Sequence, residues 1–260
     1  MSGRSEALHR LRRVARQRLE SLSRSGVLQC RKSPPKPAAA LSPSRSPSLD
    51  AEATGGRSPP EVERPGGQDS PQSQLAALQR QVAHCTRCEE LARTRTQTVF
   101  GVGSLSPRLC FLGEAPGADE DRQGVPFVGR AGQLLTDIIQ KGMGLRREEV
   151  YILNVLKCRP PGNRTPSADE VANCRPFFEQ QLAILRPQFI CCLGSVAAQA
   201  LLQTTQSVGR LRGQIHQYQG AKVLVTYHPS YLLRFPEAKK EAWQDIQRLM
   251  REMGLPLPPK

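Results

Sequence analysis

Four short apolar runs, Leu109 to Leu112, Val150 to Leu156, Phe189 to Leu193 and Lys222 to Tyr227, are separated by stretches of helical periodicity. Runs this short and this uniformly apolar read as strands buried on both faces. Strands that alternate with helices lead to a parallel sheet, because each parallel connection must cross over and the crossover helix covers the sheet. The helices are legible too. Gly132 to Lys141 carries Leu134, Leu135, Ile138 and Ile139. Ser167 and Glu170 have capping-box spacing ahead of Val171, Cys174, Phe178, Leu182 and Leu185. Ser195 is expected to cap Val196 to Leu202, and Pro236 to Met253 forms the last helix with Trp243, Ile246 and Met250 inward. The expected fold class is α/β: a three-layer sandwich with a central four-stranded parallel sheet flanked by helices.

The pattern turns globular only at Gln74. Residues 74–260 are read as the folded domain and residues 1–73 as a basic arm followed by a linker. Residues 1–36 hold ten Lys and Arg against two acidic residues, and residues 33–73 are dense in Pro, Ser and Gly with no aromatic. Such a linker cannot bury enough apolar surface to offset its ordering entropy. Leu8, Leu11, Val14 and Leu19 among the arginines permit an amphipathic helix; a solvated arm is the alternative, and Glu6 and Glu20 argue against a transit peptide. The whole chain has a formal net charge of +14. This favours a polyanionic partner, nucleic acid ahead of an anionic membrane. Phe189 to Leu202 is interrupted by Gly194, Ser195 and Gln199, so no transmembrane helix is expected. Without an apolar leader, the expected location is the cytoplasm, in association with the nucleoid.

Each predicted strand ends in unusual chemistry, and in open α/β sheets ligands bind at the carboxyl ends of strands. The first runs into Gly113-Glu114-Ala115-Pro116-Gly117-Ala118-Asp119-Glu120-Asp121, then Pro126-Phe127-Val128-Gly129-Arg130. The second ends at Asn154, the third at Gly194-Ser195, the fourth at His228-Pro229-Ser230. The glycines allow close backbone approach to a ligand. Phe127 is either core or a platform on which a base stacks. Asn154 carries a donor and an acceptor on one planar amide, suited to reading a base edge or to tying down a loop.

Eight cysteines in a chain without a secretory leader point to a reducing compartment. Cys110, Cys191 and Cys192 fall inside strands and read as packing. Cys85-x2-Cys88, Cys158 and Cys174 fit a four-thiolate site for zinc or for an iron–sulfur cluster, and ligand softness does not separate the two. Either would staple the N-terminal helix to the loop after the second strand.

Taken together, these segments resemble the family 4 uracil-DNA glycosylases, the iron–sulfur branch of the uracil-DNA glycosylase superfamily. The similar stretches are Gly113 to Gly117, Pro126 to Gly132, Asn154 to Pro161 and His228 to Arg234, in family order, within about residues 74–255. The resemblance implies a [4Fe–4S] cluster on Cys85, Cys88, Cys158 and Cys174, which selects iron over zinc. It implies hydrolysis of the N-glycosidic bond of deoxyuridine in single- or double-stranded DNA. Phe127 would stack on the uracil, Asn154 would pair with its O4 and N3 edge, and Glu114, Ala115 and Gly117 would line the base site. His228 would donate to uracil O2 and Glu120 would orient the water, with Asp119 and Asp121 as near neighbours. Ser195, Ser230, Arg130, Arg164 and Arg234 would hold phosphates, and Leu232 or Leu233 would fill the gap left by the base.

Two departures from related branches matter. Ala115 stands where better-known branches have a water-handling Asp, and the loop from Arg159 to Pro166 lacks the histidine through which one branch links covalently to DNA. The chain is expected to act as a monomer on DNA, away from membranes, with the arm adding DNA affinity or recruiting a repair or replication partner. The rival readings are a glycosylase for another deaminated base, a non-catalytic iron–sulfur DNA-binding module, and a metal-dependent hydrolase built on the acidic loop.

Overall fold

The computed structural model describes residues 70–258. The expected arm and most of the expected linker lie outside these residues. Helix α1 spans Pro71–Ala83, starting three residues ahead of Gln74, because Ser70 Oγ accepts the Ser73 amide at 3.2 Å and proline sits in the first turn. A short α2, Glu89–Thr94, follows.

The strands are β1 (Val102–Gly103), β2 (Leu109–Gly113), β3 (Tyr151–Asn154), β4 (Phe189–Leu193), β5 (Ile215–Tyr218) and β6 (Ala221–Thr226), in the order β1-β3-β2-β4-β6-β5. The central four, β3-β2-β4-β6, are parallel as expected. The sheet has six strands rather than four, because β1 and β5 add antiparallel edges to β3 and β6. Strands β5 and β6 form a hairpin across Gln219 and Gly220, both at positive φ (47° and 86°) as a type I′ turn requires.

Successive side chains of the buried strands enter opposite layers. Cys110, Leu112, Leu153, Ile190, Cys192 and Val223 pack on one side with α1, α5 (Ala168–Leu185) and α6 (Ser195–Leu202). Leu109, Phe111, Ile152, Cys191 and Leu224 pack on the other with α4 (Arg130–Asp137) and α9 (Lys239–Met253). Cys110, Cys191 and Cys192 are therefore core residues.

The capping box of α5 forms as read: the Glu170 amide donates to Ser167 Oγ, and the Ser167 amide donates to the Glu170 carboxylate. Ser195 does not cap α6. Gly194 takes that position at φ +92°, a conformation costly for a side chain, and Ser195 becomes the first helical residue. The remaining short helices are α3 (Ala118–Gln123), α7 (Val208–Leu211) and α8 (Pro229–Arg234). Among the described residues no helix is long and apolar enough to cross a membrane.

Candidate active site

Parallel register aligns Gly113 with Asn154, and Leu193 with Thr226, at one edge of the sheet. The loops that leave this edge enclose a cleft of about 770 Å³. Its walls include Glu114, Ala115, Gly117, Glu120, Phe127, Arg130, Asn154, Arg164, Ser195, His228, Ser230 and Arg234, so the residues expected to meet base, water and phosphate border one space, while Leu232 and Leu233 do not line it.

The floor is assembled around Gly113. A Cβ at this position would lie 2.3 Å from Asn154 Oδ1 and 2.6 Å from Phe127 Cζ. Ring and amide can meet there only because glycine has no side chain. Asn154 is 2% exposed, and its Oδ1 is buried without a hydrogen-bond partner among the described residues. An unpaired buried acceptor is costly, so such an atom calls for a donor from outside the fold.

Phe127 holds a positive φ of 55°, uncommon for an aromatic residue, and three neighbours enforce it. Glu120 Oε1 accepts the amides of Val128 (2.9 Å) and Gly129 (3.0 Å). The Arg147 guanidinium donates to the carbonyls of Pro126 (2.7 Å) and Phe127 (3.0 Å). Gly132 admits the Phe127 backbone so closely that a Cβ would fall 2.0 Å from the Phe127 carbonyl. Glu120 Oε2 also accepts the Gly117 amide at 3.1 Å, so one carboxylate ties the first loop to the second.

Of the other acids of the first loop, Asp119 and Asp121 have different partners, and Glu114 and Asp119 also border the cleft. Asp121 is buried and accepts the Thr96 amide at 3.0 Å, while Asp119 pairs with Arg122. Among the described residues no group of three or more His, Cys, Asp or Glu side chains, the acidic loop and the four cysteines included, is arranged to hold a single metal ion. Glu114 borders the cleft, and burial pushes its carboxyl above the ordinary range.

His228 caps α8. Its Nδ1 accepts the Ser230 amide at 3.1 Å and lies 2.8 Å from Ser230 Oγ. Accepting that N–H leaves Nδ1 unprotonated, which places the proton of the neutral ring on Nε2. Burial, assisted by the charge of Arg234 and opposed by Glu120, lowers the ring to about 4. The imidazole is thus a neutral Nε2–H donor, 5.6 Å from the Phe127 ring by centroids.

The structure narrows two expectations. The Arg164 guanidinium is paired with Glu170 and Glu90, each at 2.7 Å, so it bolts the loop after β3 to α2 and α5 instead of standing free for phosphate. Leu232 is 2% exposed and belongs to the core; Leu233, at 36%, is the one that faces outward. Arg130, Arg234 and Ser195 are exposed on the cleft rim. Sequence reasoning missed Arg147, Tyr227, Tyr231 and the start of α7 at Ser207, Val208 and Gly209, none of which sits in a polar cluster at a predicted strand end, Tyr227 excepted.

Cys85, Cys88, Cys158 and Cys174 border one small hollow beside α2, together with Arg95 and Asn173. Arg95 Nη1 lies 3.0 Å from Cys158 Sγ, and Asn173 Nδ2 lies 3.5 Å from Cys88 Sγ, so donors already face the sulfurs. Burial raises the Cys174 thiol to about 11 and raises those of Cys88 and Cys158. Lys157, fully buried next to Cys158, donates to the Asn154 carbonyl at 2.8 Å and so links the cysteine cluster to the end of β3.

The fold is an α/β domain whose cleft opens at the carboxyl ends of a parallel sheet core. A family model described as "Uracil DNA glycosylase superfamily" matches residues 100–247, and the chain belongs to that superfamily. It is 40% identical over 183 residues to the type-4 uracil-DNA glycosylase of Archaeoglobus fulgidus, covering 67% of this chain and 91% of that protein. It is 44% identical over 178 residues to the type-4 uracil-DNA glycosylase of Thermotoga maritima, covering 67% and 92%. A type-5 uracil-DNA glycosylase of Pyrobaculum aerophilum is more distant, at 29% over 182 residues, covering 58% and 80%.

Proposed function

We propose that the chain removes uracil from DNA by hydrolysing the bond between C1′ and N1, leaving an abasic site. The observation that carries this reading is the orphaned Asn154 Oδ1, buried against the Phe127 ring and across the cleft from the His228 donor. Uracil offers an N3–H to that acceptor and an O4 to the amide nitrogen. Cytosine presents the opposite polarity at both positions. A mismatch there leaves buried polar groups unpaired, which supports strong discrimination.

A base inside the helical stack cannot reach the cleft floor, so the nucleotide must flip. Phe127 covers one face of the flipped ring. As the glycosidic bond breaks, its electron pair moves onto the base, and the His228 Nε2–H donates to the charge gathering at O2. A preorganised neutral donor suits this role, because it needs no proton transfer and no reorganisation. Three backbone amides occupy three of the roughly four acceptor sites of the Glu120 carboxylate. The remaining one faces water, and the negative charge opposes the cation developing at C1′. Ala115 cannot perform either task.

The four cysteines fit a [4Fe–4S] cluster. A tetrahedral zinc site requires sulfurs that close on a single ion, whereas a four-iron cluster binds each thiolate at its own iron and calls for a lined hollow. When bound it supplies a cross-link between Cys85 and Cys88 at the start of the domain and the loop that follows Asn154. Arg95 and Asn173 face the sulfurs, and Lys157 carries the restraint to the Asn154 backbone. Arg130, Arg234, Ser195 and Ser230 are the phosphate contacts, and Leu233 is placed to fill the vacated stack.

The test is release of uracil from a single-stranded oligonucleotide, read as strand cleavage after alkali, with Asn154→Ala alongside and oligonucleotides carrying hypoxanthine or xanthine as competitors. Uracil release lost in the variant supports the reading; preferential release of another base by the parent protein overturns it. Iron analysis and a visible absorption band test the cluster.

A further inference from the structure

Three aromatic rings form a stair that leaves the cleft on the side of His228. Tyr227 stacks on Tyr231 with centroids 5.1 Å apart and planes at 19°, and Tyr231 meets Phe235 at 4.6 Å and 37°. Tyr231 lies inside α8 and Phe235 is the residue that caps its C-terminus, four positions on, and the two rings meet there. The inner end is anchored. The Arg212 guanidinium lies 5.1 Å from the centre of the Tyr227 ring, and the Tyr227 hydroxyl donates to Glu241 at 3.0 Å. Arg212 is itself held by Glu241 and by the buried Asp245.

The outer end is open. Phe235 is 43% exposed, and Leu233 beside it is 36% exposed. Packing accounts for Tyr227 and Tyr231, but it does not account for an anchored stack that ends in an outward phenyl ring. Tyr227 and Tyr231 are cleft-wall residues, so the stair is continuous with the cleft, and the exposed Arg234, the residue before Phe235, borders the same cleft.

We propose that this stair is a stacking subsite for an unpaired nucleobase next to the flipped uracil, with Phe235 as its platform and Arg234 on the adjoining phosphate. Every nucleobase offers a π face, so such a site tolerates sequence. In a duplex the base next to the flipped uracil stays paired to its complement and stacked on its other side, whereas in a single strand it is free to swing onto an external platform. The subsite therefore favours uracil in single-stranded segments. The inference rests on the cleft accepting a base from DNA.

The experiment uses the full chain and single-stranded oligonucleotides with one uracil, flanked either by normal bases or by abasic spacers. A 2-aminopurine next to the uracil reports stacking by fluorescence quenching. The parent protein should bind the normally flanked strand on the order of tenfold more tightly than the spacer strand. Phe235→Ala should lose that difference and the quenching, while Phe235→Trp should keep both. A Phe235→Ala variant that retains the flanking-base preference overturns the subsite even if uracil is released. So does a Phe235→Leu variant equal to the parent, since that would mean apolar contact without stacking. Absence of uracil release by the parent would instead sink the pocket reading, and the subsite with it.

Discussion

Asn154 Oδ1 and the Phe127 ring approach the same point above Gly113, within 2.3 Å and 2.6 Å of where a methyl group would stand. The atom proposed to read the base and the ring proposed to stack on it therefore share a floor with no spare room. Gly113→Ala should push ring and amide apart, reduce uracil release by at least about a hundredfold, and destabilise the protein by roughly 1–3 kcal/mol through overpacking. Single-turnover rates and a denaturant melt measure the two effects.

Asn154→Ala removes an acceptor that has no partner within the fold. Activity should fall by about a hundredfold, in line with loss of roughly 2.7–4 kcal/mol of preorganised hydrogen bonding. Stability should fall by much less than the roughly 2–5 kcal/mol expected for truncating the neighbouring core residue Leu153. A thermal melt of both variants separates the two roles.

His228 gives a pH prediction with a definite sign. Its folded value is about 4 against an ordinary 6.5. Above pH 6.5 neither the folded nor the unfolded ring takes a proton. Between 6.5 and 4 the unfolded ring does and the folded ring does not, so stability declines as pH drops through this window. The loss from this group is at most about 3 kcal/mol, and smaller where its edge reaches water. Nitrogen NMR of the imidazole should show a neutral ring protonated on Nε2 from pH 8 down to 5. A ring that titrates near 6.5 would contradict the donor assignment.

Glu120→Ala strands three backbone amides at once. Each unsatisfied buried group costs about 1–3 kcal/mol, reduced here by the water that can reach the cleft. Glu120→Gln keeps an acceptor for Val128 and Gly129 but sets its amide nitrogen against the Gly117 N–H. The Gln variant should therefore retain a more protected Phe127 loop than the Ala variant by amide hydrogen exchange, while both lose most uracil release.

Salt dependence sorts the arginines. Arg130→Ala and Arg234→Ala should each lower the slope of log affinity against log salt by about one, as expected for loss of one phosphate contact. Arg164→Ala should leave the slope nearly unchanged and lower the melting temperature, because its charge is already neutralised by Glu90 and Glu170.

The four buried strands and their common rim were legible because uninterrupted apolar runs have few other uses, and the Ser167–Glu170 box was legible because it is local. The edge strands were not. Strand β1 has two residues, too few for any period, and β5 reads Ile-His-Gln-Tyr with weak alternation, although Gln219-Gly220 behind it was a usable turn signal. The pairing of Arg164 depends on Glu90, 74 residues away, and no local pattern reveals it. Asp119, Glu120 and Asp121 are adjacent in the chain, yet they point to three different partners, since a helical turn fans out consecutive side chains.

The nitrogen of His228 that opens α8 also determines where that ring keeps its proton. Secondary structure and acid–base chemistry are here one contact. A substitution that tilted the first turn of α8 by an ångström could therefore silence the enzyme with every side chain of the cleft intact, and the defect would register as a misplaced hydrogen atom.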